Sequence, residues 1–200
     1  MPPSTAMAHR PLKILEDLLK DRGADPETLG IKGRIHKDMY TEAAQTKKIT
    51  TTAVLDDAID AYTKGFESDP RDYYPGINAI NLLIQKGDAT ALKEAERLLP
   101  LVSFAVARRG VASSSDYWDI ATALELACIG EDWPLAIRIL PRALMATTNS
   151  FSTQTTLGNL QLLKEARERE GQSTPELDTI LTELSARISE LRGEGQAKVK

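Results

Sequence analysis

Three short clusters carry the side chains best able to do chemistry in this sequence. The first is Arg34, His36 and Lys37, with Tyr40 close behind. On a helix Arg34, Lys37 and Thr41 recur at three- and four-residue spacing and share one face. Three basic groups within four residues stand out in a chain whose formal net charge is -4. The second cluster is Tyr73-Tyr74-Pro75-Gly76-Ile77-Asn78, two aromatics entering a helix with an amide behind them. The third is Tyr117, Trp118, Thr122 and Glu125, of which the last three share a helical face. Cations, stacking rings and an amide suit an anionic ligand with a flat ring, such as a nucleotide, and suit an acidic peptide nearly as well. Plain packing competes for every one of these residues. Tyr-Tyr-Pro can staple a helix start, Trp118 can be core, and Asn78 can cap or bridge helices. Glu125 beside a phosphate is unfavourable unless it faces a ribose hydroxyl or pairs with Arg34.

Catalytic arrangements are missing from the sequence. His9 and His36 are its two histidines, and no Ser/His/Asp set, HExxH pair or phosphate-cradling glycine loop accompanies them. The abundant carboxylates read as solvated helix faces. A single cysteine, Cys128, excludes an intrachain disulfide and a cysteine-rich zinc site, and its setting in Ala127-Cys128-Ile129 is that of a small buried hydrophobe. The expectation is a non-catalytic chain without metal or cofactor.

The elements that position these clusters are helices. Hydrophobic residues make up 42% of the 200 residues, charged residues 27% and aromatics 5%, with the abundant Ala and Leu favouring helix over sheet. No segment alternates with the two-residue period of a strand. Helices are predicted from Pro11 to Gly23, from Ile31 to about Gln45 with an uncertain start at Lys32-Gly33-Arg34, and after the Thr50-Thr51-Thr52 cap to Asp69-Pro70. Others start at Pro75, at Ala89 with an interruption at Pro100, and at Tyr117 after Ser113 to Asp116. The last three start at Pro134, at a Ser150 or Ser152 cap, and at Pro175 with an end near Leu191. The fold expected is all-α, a short solenoid of divergent tetratricopeptide-like hairpins with about 7–9 helices. Residues 1–10 are expected as a flexible leader, 11–192 as one helical-repeat domain and 193–200 as a flexible tail. The start of the chain lacks the apolar run of a signal peptide, and no segment approaches the ~18 apolar residues of a membrane span. A cytoplasmic protein without membrane, DNA or RNA partners is expected, since a weakly acidic chain has no global pull toward nucleic acid.

The helices repeat. Ala95-Glu96-Arg97-Leu98-Leu99-Pro100 returns as Ala136-Ile137-Arg138-Ile139-Leu140-Pro141, 41 residues on. Ala58, Tyr62, Gly65 and Pro70 fit the second half of a tetratricopeptide repeat, whose period is about 34 residues. Each hairpin has a face it cannot bury alone, so stacked neighbours complete the core, and the three clusters are expected along one groove.

The second and third clusters also carry a resemblance. Tyr73 to Asn78, followed by Asp116-Tyr117-Trp118 with Ala121-Thr122 and Glu125, resembles the tetratricopeptide repeat sensor (TPR-S) family. The same pattern occurs in the TRAF-binding region of apoptosis signal-regulating kinases. Gly33 to Asp38 and Gly65-Phe66-Glu67 fit it too, so the likeness runs from about Ile31 to Leu163. It implies a helical-repeat module. In bacterial relatives that module is proposed to sense nucleotide-derived signals beside effectors, and in animal kinases it is regulatory and contacts TRAF proteins. The first reading is therefore a sensor binding a nucleotide-derived small molecule through Arg34, His36, Lys37, Tyr74, Asn78, Tyr117, Trp118, Thr122 and Glu125. The second is an adaptor holding a peptide or an effector or signalling protein in the same groove. The third is a purely structural use of the motif residues.

Overall fold

The computed structural model describes residues 5–45, 51–110, 113–147 and 149–197. Among them are nine helices and no strand. The chain divides into two compact units, residues 1–105 and 106–200.

The first unit holds α1 (Thr5–Arg22), α2 (Pro26–Gln45), α3 (Thr51–Ser68), α4 (Tyr73–Lys86) and most of α5 (Ala89–Arg108). α2 lies along α3, α3 along α4 and α1 along α2, while α2 also reaches α4. Contact with the next helix and the next but one is the pattern of stacked helical hairpins. Side chains on these faces form the core, with Tyr62, Phe66, Ile80, Leu98 and Val102 all but fully buried. Burying one such side chain contributes roughly 1.5–3 kcal/mol.

Two glycines set how closely these helices approach. A Cβ at Gly33 would lie 2.7 Å from Tyr62 Cγ, and one at Gly76 would lie 2.5 Å from Val102 Cγ2. Lys32-Gly33-Arg34, which left the start of this helix near Ile31 uncertain in the sequence, therefore does not mark its start. The helix starts at Pro26, where Asp25 accepts the Thr28 N–H at 2.8 Å, and Gly33 is mid-helix because only a missing side chain admits the Tyr62 ring.

The second unit contains α6 (Tyr117–Ile129), α7 (Trp133–Ala146), α8 (Ser150–Arg169) and α9 (Pro175–Ala197). α6 packs on α7 and α8, and α9 on α8 and α7. Ile120, Leu124, Leu160, Leu177, Ile180 and Leu184 are buried. Cys128 is buried as expected, and burial pushes its thiol up to about 12, which leaves it unreactive.

Several helix ends differ from the sequence reading. α1 begins at Thr5, inside the stretch expected as a leader, and holds Pro11 in its interior. Proline fixes a helix-compatible φ and removes one hydrogen bond, so the chain before it can still be helical. Pro100 and Pro141 likewise sit inside continuous helices, α5 and α7. α4 starts at Tyr73 rather than Pro75, because Asp72 caps it by accepting the Tyr74 N–H at 3.0 Å. α8 is capped by Asn149, not by Ser150 or Ser152. α9 continues to Ala197, past the expected end and into the stretch expected as a tail. The expected Thr50 cap lies outside the described residues.

Candidate functional site

The first two clusters belong to the first unit. With Gly33 against Tyr62, α2 is drawn in beside the start of α4. There Tyr74 stands edge-on to Tyr62, ring centres 6.2 Å apart and planes at 77°. A Cβ at Gly30 would sit 3.4 Å from Tyr74 Cε1, so the Tyr74 ring lies against α2. One edge of the ring stays in solvent, since Tyr74 is 42% exposed. Asn78 ties the two helices together. Its Oδ1 accepts from Lys37 Nζ at 3.2 Å, and its Nδ2 donates to the Tyr74 carbonyl at 2.9 Å. Arg34 is exposed on the same helix as Lys37. Burial raises the Tyr62 hydroxyl far above its ordinary value, Tyr74 adds to the rise, and the Arg34 charge partly opposes it. Arg34, Lys37, Tyr74 and Asn78 thus form one open face of α2 and α4. Arg34 and Lys37 lie in the middle of α2, which begins eight residues before Arg34, whereas Tyr74 lies in the first turn of α4.

His36 is elsewhere. It is buried, with Nδ1 4.0 Å from Asp57 Oδ2 of α3 and no hydrogen-bond partner for that nitrogen among the described residues. Burial lowers its pKa most, Lys32 lowers it further, and Asp57 and Glu16 of α1 oppose.

The third cluster belongs to the second unit, where most of it is spent on packing α6 against α8. The Tyr117 hydroxyl donates to Thr156 Oγ1 at 2.9 Å, and Thr122 is buried. Glu125, also buried, accepts from Asn159 Nδ2 through both oxygens, at 3.2 and 3.1 Å. That amide is the neighbour the sequence reading lacked when it offered a ribose hydroxyl or Arg34. Trp118 differs from the rest of its cluster. It is 44% exposed and edge-on to Tyr117 at 5.5 Å.

Sequence reasoning missed three residues here. Asn159 is one. Arg167 is another, buried at the end of α8, where it donates to the carbonyls of Cys128 and Ile129 at 3.0 and 3.1 Å. It also pairs with Glu131 at 3.2 Å and lies 5.3 Å over the Trp133 ring. The third is Phe151. Tyr74, Trp118 and Phe151 are each the second residue of their helix, directly after an Asp or Asn cap and one further residue. All three are exposed. The signal was present as Asn149-Ser150-Phe151 beside Asp116-Tyr117-Trp118, but Ser150 in place of a tyrosine hid it.

The expected residues lie apart from two open grooves of the structure. Among the described residues no group of His, Cys, Asp and Glu could hold a metal ion, and no helix is long and apolar enough to cross a membrane. An open groove of about 460 Å³ between α1 and α3, floored by Leu19, Leu29 and Ala61, contains none of them. Nor does one of about 430 Å³ between α7 and α9, beside Leu144 and Ala186.

The architecture defines a helical-repeat module with an open cation and aromatic face. Residues 6–182 match the family model described as the MAP3K TRAFs-binding domain, and the chain belongs to that family. The chain is also similar to the mitogen-activated protein kinase kinase kinase nsy-1 of Caenorhabditis elegans. The two are 24% identical over 146 residues, which is 72% of this chain and 9% of that protein. The chain therefore matches only a small part of that relative's length.

Proposed function

We propose that this chain is a non-catalytic protein-interaction module, cytoplasmic as its sequence led us to expect, that docks a partner protein on the α2–α4 face. The observation that carries this reading is the openness of that face. Small-molecule sites bury roughly 70–90% of their ligand in a concave pocket. Arg34, Lys37, Tyr74 and Asn78 instead share an outward face. The residues needed to close a nucleotide site, Tyr117, Thr122 and Glu125, are committed to helix packing within the second unit. Nothing in the geometry or the family favours the nucleotide-derived ligand of the sensor resemblance. The partner class for which the family is named, TRAF proteins, is the first to test.

The test is calorimetric titration of a purified TRAF domain into this chain, beside thermal shift against a nucleotide panel. Saturable TRAF binding with no nucleotide-induced rise in Tm is expected. A nucleotide that raises Tm, with no TRAF binding, contradicts the reading.

A further inference from the structure

We infer that α1 is a releasable strap. It leaves α2 as a unit, turning about Gly23-Ala24-Asp25, while α2 to α4 stay folded, and its release uncovers the side of α2 that carries Leu29 and His36. This inference is independent of what docks on the α2–α4 face.

The attachment of α1 is thin. Between Arg10 and Arg22 only Leu15 is buried, Leu12, Leu18 and Leu19 are half-buried, and Ile14 is 54% exposed. α9, by contrast, buries Leu177, Ile180, Leu181, Leu184 and Ile188. An element opens more readily the fewer apolar contacts it makes, so a helix with one buried side chain opens before the helices it rests on. Glu16 and Lys32, 3.7 Å apart, form the one ion pair that ties α1 to α2 among the described residues. The Glu16 side chain is 52% exposed, and a pair so wetted holds little. Between α1 and α3 lies the open groove of about 460 Å³ rather than a packed contact. Pro11 also leaves α1 one hydrogen bond short.

The helices beneath do not depend on the strap. Asp25 starts α2 by itself, its carboxylate accepting the Thr28 N–H at 2.8 Å and its carbonyl the Leu29 N–H at 3.1 Å. The core of Tyr62, Phe66 and Ile80 takes no side chain from α1. The joint between the two helices is free to turn. Gly23 ends α1 in the left-handed region at φ 84°, and nothing lies within 4 Å of where its Cβ would be. Pro26, the first residue of α2, disfavours helical backbone at Asp25, so a swinging α1 does not merge with α2 into one rod.

What the strap covers follows from spacing. Leu29, Lys32 and His36 recur three and four residues apart on α2 and share one side of it. Leu19 lines the groove with Leu29, Glu16 pairs with Lys32, and the Glu16 charge reaches His36. His36 is buried there with no hydrogen-bond partner for Nδ1 among the described residues, so its imidazole reports when that side of α2 opens.

The experiment pairs residue-resolved amide exchange by NMR with acylation of His36 by diethyl pyrocarbonate, read by mass spectrometry, on the full chain and its Leu15→Ala variant. In the wild type, amides from Leu15 to Arg22 should exchange at one shared rate, at least about a hundredfold faster than those of Tyr62 and Phe66. Leu15→Ala should speed α1 exchange and His36 acylation together, by about tenfold or more, and leave the Tyr62 and Phe66 amides unchanged. Protection of α1 equal to that of α3, or a gradient of rates along α1 that marks fraying, overturns the inference. So does His36 acylation that Leu15→Ala leaves unchanged. A Leu15→Ala chain that fails to fold, or whose α3 amides accelerate as much as those of α1, also overturns it, because α2 to α4 would then depend on the strap.

Discussion

Gly33 faces the Tyr62 ring so closely that a Cβ at residue 33 would lie 2.7 Å from Cγ and 2.8 Å from Cδ2. This contact sets the spacing of α2 and α3, and through Tyr62 the seat of Tyr74. Glycine inside a helix costs roughly 0.5–1 kcal/mol relative to alanine, so the sequence gives up helix stability for proximity. Gly33→Ala is expected to lower stability by about 1–2 kcal/mol, because overpacking outweighs the propensity gain. Gly158→Ala is the control. It is also mid-helix, with nothing within 4 Å of the added Cβ, and should raise stability by about 0.5–1 kcal/mol. Urea unfolding measures both, and equal signs for the two variants would contradict the packing account.

His36 should make the first unit acid-sensitive. Its folded-state pKa lies below the ordinary 6.5, chiefly because burial disfavours the imidazolium. A depressed pKa means that the unfolded chain takes up the proton first. The stabilising contribution is therefore complete above about 6.5 and is lost as pH falls through the lower folded value. Urea melts at descending pH should show wild type losing stability over that window and His36→Gln losing less. A wild type whose stability rises on acidification would show that Asp57 and Glu16 outweigh burial.

Arg167 fastens the end of α6. It supplies donors to two carbonyls there, beside Glu131 in the left-handed region at φ 59°. Arg167→Ala leaves both carbonyls short of a donor and should cost about 2–4 kcal/mol, from two charge-assisted hydrogen bonds. Arg167→Lys should recover less than half, since an ammonium cannot span two carbonyls, Glu131 and the Trp133 ring together. Chemical denaturation checks this, and full rescue by lysine would contradict the geometry.

What the sequence made legible follows from the range of the forces involved. Helix class was readable because periodicity and caps are local: Asp116, Pro134 and Gly87 acted where they stood, Gly87 ending α4 at φ 70°. Glycine is ambiguous locally, and Gly33 left the start of α2 uncertain because its meaning lies in Tyr62, 29 residues away. Pro100 and Pro141 were read within the helical stretches that start at Ala89 and Pro134, and they lie inside α5 and α7. The binding clusters were found by residue type, which cannot separate an exposed cation such as Arg34 from a buried imidazole two residues later. Pairings such as Lys37–Asn78 and Glu125–Asn159 join helices 41 and 34 residues apart, so only the fold reveals which motif residues are committed to packing.

The most direct test of the proposed role is calorimetric titration of a purified TRAF domain into wild type, Tyr74→Ala, Lys37→Ala and Thr122→Ala chains. Binding to the wild type is expected, with Tyr74→Ala and Lys37→Ala each weakening it at least about fivefold, the smallest loss counted as important at a protein interface. Thr122, buried in the second unit, lies outside the proposed face, so its variant should bind as the wild type does once checked to be folded. Equal affinity across all four chains, or no binding to any, would contradict the assignment of the α2–α4 face as the partner site.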